Sequence, residues 1–123
     1  MSHDTRDDLA TSLLPAGYAG LRKLQDEFRC YQEAAFPERP PRFFALELAG
    51  ETGELANLEK KIWKGRQVAA DDFEDESADV CIALLNYVNS RGIDLARAVE
   101  EKMLRIDRGR RAEPEVPGGP EDR

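Results

Sequence analysis

The chain has 123 residues, of which 35% are charged and 7% aromatic, and its formal net charge is −7. That length suits a single domain with one core. The acidic balance disfavours binding to a nucleic-acid backbone, so no nucleic acid polymer is expected as a partner. No apolar run approaches the length of a membrane span, and the opening MSHDTRDDLATS lacks the charged and apolar regions of a secretory signal. A cytoplasmic protein with no membrane partner is expected. Cys30 and Cys81, both in helical patterns, are then expected to be buried, reduced thiols.

Residues 1–12 are polar and acidic and form a flexible leader, with the domain occupying 13–108. Leu14, Tyr18, Leu21, Leu24, Phe28 and Tyr31 recur at steps of three and four, which predicts a helix over about 16–35. Pro37, Pro40 and Pro41 interrupt it and open a second helix, over about 42–63. Gly50 and Gly53 weaken that helix by roughly 1 kcal/mol each relative to Ala, which suggests close approach by another helix or a ligand. Lys64-Gly65-Arg66 ends it with a basic cluster, and Asp71 or Asp72 can cap a third helix reaching about Arg91, where Gly92 stops it. Asp94 can cap a fourth helix, with Leu95, Val99 and Ile106 on its inner stripe and Lys102 inside that stripe. Pro, Gly and charge content make 109–123 a disordered tail. No strand-like alternation is present, so the fold class is all-α, with four helices.

Two pairs of acidic residues at helical spacing sit where a core should be. On a helical wheel Phe44, Leu48, Leu55, Leu58 and Ile62 gather in one stripe, with Glu51 near its middle and Glu47 and Glu54 along one edge. In the third helix Phe73, Val80, Leu84, Tyr87 and Val88 mark one side, while Ala78, Cys81, Ile82 and Leu85 cover much of the other. That helix reads as buried nearly all round, and its polar strip is Glu76, Asp79 and Asn86. One such acidic pair would ordinarily be a solvated face, with Lys60 or Lys61 as ion-pair partners. Two pairs on inward faces need a cation between them, and an all-oxygen set favours Mg²⁺ or Mn²⁺ over zinc. The one histidine, His3, is far from both pairs in sequence, which argues against a di-iron site built on Glu-x-x-His.

The blocks LAGETGELANL, with Glu51-x-x-Glu54, DESADVCIALL, with Glu76-x-x-Asp79, and GIDLARAVEEKM resemble, in that order, the MazG-like all-α nucleotide pyrophosphohydrolases. The resemblance covers about residues 40–108. It implies a four-helix bundle that assembles as a dimer or tetramer, with sites near the subunit interface. The implied activity is cleavage of a nucleoside triphosphate between the α and β phosphates, giving a monophosphate and pyrophosphate, as in nucleotide-pool house-cleaning. Glu51, Glu54, Glu76 and Asp79 would then be Mg²⁺ ligands, with Mn²⁺ able to substitute. Glu47, one turn before Glu51, is the candidate for orienting water. Some relatives carry an acidic residue immediately before the first metal ligand, where this chain has Gly50, and an asparagine four residues after the fourth-helix lysine, where it has Ile106. Lys61, Lys64, Arg66 and Lys102 are candidate phosphate contacts. Trp63 either stacks on a base or covers the core, and Asn86 and Tyr87 carry the same two readings. The alternative to an enzyme is a non-catalytic helical module that binds nucleotide or metal without turnover.

Overall fold

Four helices account for the regular structure of residues 13–112, the part of the chain that the computed structural model describes: α1 (Tyr18–Ala35), α2 (Pro41–Trp63), α3 (Ala70–Ser90) and α4 (Leu95–Ala112). Among the described residues the fold is all-α, and no helix is long and apolar enough to cross a membrane. The leader 1–12 lies outside them, as do residues 113–123 of the expected tail. Residues 109–112 are helical, because α4 runs three residues past Gly109.

Local chemistry sets the helix ends. α1 stops where the backbone turns extended at Phe36, whose N–H still reaches Gln32 O at 3.0 Å. Pro41 opens α2 at a position where a missing N–H costs nothing. Gly65, at φ +84°, closes α2, its N–H donating to Ile62 O at 2.9 Å. α3 begins at Ala70, so Asp71 and Asp72 lie inside its first turn rather than capping it. There they face the positive end of the helix dipole. Gly92, at φ +66°, ends α3, and Ile93 N–H reaches back to Val88 O at 2.9 Å. Asp94 caps α4 as expected, with Oδ1 accepting from Arg97 N–H at 3.1 Å and Oδ2 from Arg22 Nε at 3.1 Å.

The closest packing is between α2 and α3, an antiparallel pair; α1 packs on both α3 and α4. One polar residue bolts α1 to the α3–α4 junction. Gln25 is 6% exposed and lies among the apolar positions Leu21 and Phe28. Its Nε2 donates to Asn89 Oδ1 at 2.9 Å and to Ile93 O at 2.7 Å, while Oε1 accepts from Leu95 N–H at 3.0 Å. Asn89 Nδ2 returns a bond to Gln25 O at 3.1 Å. These four hydrogen bonds satisfy the Gln25 carboxamide and its partners, as buried polar groups require.

The apolar core is small: Phe44, Leu58, Ala83, Leu85, Val88 and Ala96. α3 is not covered all round as expected, since Ala78, Cys81 and Ile82 are exposed. Leu85 on that same side is buried, so the side is covered there and open at Ala78, Cys81 and Ile82. Both Cys30 and Cys81 are exposed thiols rather than buried ones. On α4 Leu95 and Val99 lie inward as expected, joined by Ala96 and Met103, whereas Lys102 and Ile106 are exposed. α4 rests on α1, and that contact leaves the Lys102 and Ile106 side open. Gly50 and Gly53 have nothing within 4 Å of where a Cβ would stand, so no part of the described chain makes the expected close approach.

Candidate metal centre

The antiparallel α2–α3 pair places Glu51 across from Glu76 and Asp79. One oxygen from each of these three half-buried carboxylates lies within 4.8 Å of the others. Their origin is the spacing itself: Glu76 and Asp79 are one turn apart on α3, and Glu51 points from the apolar stripe of α2 toward them. Glu54, though exposed, stands against Glu76, and Asp79 stands against Glu51. All four acidic residues expected to act together are therefore brought together, three in one cluster and Glu54 at its rim.

The electrostatics are one-sided. Glu76 is pushed up to about 7, first by desolvation and then by its hydrogen bond and charge repulsion with Glu54, and by repulsion from Glu51 and Asp79. Glu51 is raised too, again by desolvation first, then by Asp79, Glu54 and Glu47. Every group acting on these two carboxyls raises them, and none is a lysine or an arginine. Glu51 Oε2 and Glu76 Oε2 are also buried without a hydrogen-bond partner. Unpartnered, desolvated acceptors of one sign are costly in a folded chain unless a cation satisfies them. The three carboxylate oxygens within 4.8 Å of one another form an all-oxygen donor set of the kind that hard divalent cations take.

The other candidates are dispersed. Glu47 is exposed one turn before Glu51, near enough to act on its charge. Lys61, half-buried, and Lys64 and Arg66, both exposed, cluster where α2 turns toward α3. Lys61 is seven residues, roughly 10 Å of helix, beyond Glu54. Trp63 is 83% exposed, which overturns the reading that it covers the core and leaves it as an open aromatic surface. Lys102 is exposed on α4, whose packing partner is α1, and does not act on Glu51 or Glu76.

At the other end of the α2–α3 pair lies a cleft of about 840 Å³, walled by the end of α1, the Pro-rich connection, Phe44 and Asn86. Sequence reasoning singled out Asn86 but missed the cleft and the Gln25 bolt. A glutamine on an apolar helix face between Leu21 and Phe28 was the legible signal for the latter. The cleft had none, since it arises from three segments meeting. Comparison with protein-family models, with curated proteins and with solved structures finds no match to this chain.

Proposed function

We propose that the chain is a Mg²⁺-dependent nucleoside triphosphate pyrophosphohydrolase, similar to the MazG-like enzymes its three blocks resemble, cleaving between the α and β phosphates. The observation that carries this reading is the pair of buried, unpartnered oxygens, Glu51 Oε2 and Glu76 Oε2, facing Asp79 with no basic group among the charges that act on them. Glu51, Glu76 and Asp79 hold the metal, and Glu54 completes the set from the rim. Bound there, Mg²⁺ supplies charge neutralisation for the triphosphate and a lowered pKa for a coordinated water. By holding the metal, the carboxylates would set where the triphosphate sits, and positioning with charge stabilisation accounts for most of the rate gain in such displacements. Glu47 orients the water by accepting its proton through a hydrogen bond. Lys61, Lys64 and Arg66 receive the pyrophosphate end of the chain.

The active form is a homodimer or larger. A core of six apolar residues in the described part, beside exposed Leu46, Phe43 and Ile82 on the central helices, leaves apolar surface that a second copy would cover. The test is release of pyrophosphate from canonical and modified ribo- and deoxynucleoside triphosphates in Mg²⁺, Mn²⁺ or EDTA. Metal-dependent appearance of monophosphate with pyrophosphate is expected. No turnover of any nucleotide with either metal would leave the non-catalytic binding module.

A further inference from the structure

We propose that the cleft at the open end of the α2–α3 pair receives the nucleobase, and that the Asn86 carboxamide selects the base by pairing with its hydrogen-bonding edge. The inference rests on the triphosphate reading above and adds to it which part of the fold sees the base.

Position comes first. Asn86 lies seven residues beyond Asp79 on α3, and Phe44 lies seven residues before Glu51 on α2. Because the helices are antiparallel, both steps lead in the same direction, about 10 Å from the carboxylates. That is the reach from the phosphates of a nucleotide to its base. The basic residues Lys61, Lys64 and Arg66 lie off the opposite end of the cluster, so a triphosphate aligned along the pair has cations at its phosphate end and the cleft at its nucleoside end. The volume, about 840 Å³, falls in the range of small-molecule sites and exceeds what a nucleoside needs.

Chemistry then narrows the choice of residue. Several polar groups around the cleft are already engaged. Asn89 exchanges hydrogen bonds with Gln25, and Ser90 Oγ donates to Tyr87 O at 2.6 Å. Arg29 is paired with Asp26 and Glu33, and the Arg39 guanidinium lies 4.9 Å from the centre of the Phe43 ring. Asn86 differs, because its Oδ1 is buried with no partner. A buried carboxamide oxygen without a donor is destabilising unless a ligand supplies one. Phe36 and Phe44 line the same cleft and offer apolar surface to a planar ring. A carboxamide offers one acceptor and one donor side by side, the complement of a base edge with adjoining N–H and acceptor atoms. The ligand class is thus a planar heterocycle with such an edge, carried on a phosphorylated sugar.

Replacing the amide by a carboxylate gives a directional test. Asn86→Asp presents acceptors only, which suit the two adjoining N–H donors of guanine and oppose the donor–acceptor edges of the other bases. The ratio of kcat/KM for guanine over cytosine triphosphates should rise at least about tenfold in Asn86→Asp, whereas Asn86→Leu should flatten the ranking among bases. In parallel, side-chain amide resonances of the unmutated, metal-free protein are followed by NMR during titration with dCMP, dAMP, dGMP and dTMP. The Asn86 amide should shift with at least one of them. Turnover with base ratios that stay within twofold in both variants, or an Asn86 amide unmoved by every monophosphate, overturns the pocket and leaves the catalytic reading standing. A shifted Asn86 amide with no pyrophosphate from any triphosphate does the reverse. It supports the pocket and removes the catalysis.

Discussion

Gln25→Ala should cost about 3 kcal/mol of folding stability. The side chain makes three hydrogen bonds, to Asn89 Oδ1 at 2.9 Å, to Ile93 O at 2.7 Å and from Leu95 N–H at 3.0 Å. Truncation leaves all three partners unpaired at a position that is 6% exposed. Each orphaned neutral group costs about 1–3 kcal/mol. The adjoining cleft of about 250 Å³, lined in part by Gln25 and Asn89, admits water and holds the total toward the lower end of that sum. For a domain of this size, with a urea slope of about 1–2 kcal/mol per molar, such a loss lowers the unfolding midpoint by roughly 2 M. Urea titration followed by far-ultraviolet circular dichroism reads the shift. Gln25→Leu separates hydrogen bonding from packing, because leucine refills the volume but leaves the same groups unpaired. It should recover no more than about 1 kcal/mol. A Gln25→Leu protein as stable as the parent would refute the account, and would mean that α4 is held on α1 by packing alone.

Other perturbations bear on the site. Glu51→Gln and Glu76→Gln should each abolish Mg²⁺-dependent pyrophosphate release while leaving the metal-free protein at least as stable as the parent, since each removes a repelled carboxylate; loss of stability without loss of turnover would sink the metal-ligand assignment. The folded-state pKa of Glu76 is raised from 4.5 to about 7, so the folded protein holds more protons than the unfolded one between those values. Metal-free stability contributed by this group should therefore fall as pH rises through that window, with the penalty complete above about 7, and saturating Mg²⁺ should suppress the trend. Thermal melts from pH 5 to 8 with and without Mg²⁺ check the sign. Gly50→Ala meets open space in an exposed stretch of helix and should stabilise the isolated chain by up to about 1 kcal/mol; if it instead weakens self-association in sedimentation, a second copy approaches α2 there. Lys102→Ala should change kcat/KM less than Lys61→Ala does, because Lys102 is exposed on a helix that rests on α1.

Which parts of this fold can be read along the chain follows from how far each determinant reaches. Helix identity and most boundaries depend on residues within one or two turns. The three- and four-residue apolar steps, Pro41, Gly65, Gly92 and the Asp94 cap all declare themselves locally, and each lies where the structure uses it. Glu51-x-x-Glu54 and Glu76-x-x-Asp79 were legible for the same reason, as single-turn spacings set against an apolar stripe. Faces that depend on a neighbour were not. On α4 the expected Leu95 and Val99 do lie inward, but contact with α1 set the rest of the face as Ala96 and Met103 and left Lys102 and Ile106 outward. Helical patterning placed Cys30 and Cys81 in the core and left core cover as one of two readings for Trp63, yet core membership requires a packing partner, and none of the described residues covers them. Local sequence therefore determined the four helices and the four acidic groups, because hydrogen bonding and periodicity act over a few residues. Tertiary packing decided which three carboxylates share a point in space, which glutamine bolts α1 to α4, and where a cleft opens beside Asn86, because those depend on side chains from segments far apart in the chain meeting at one place.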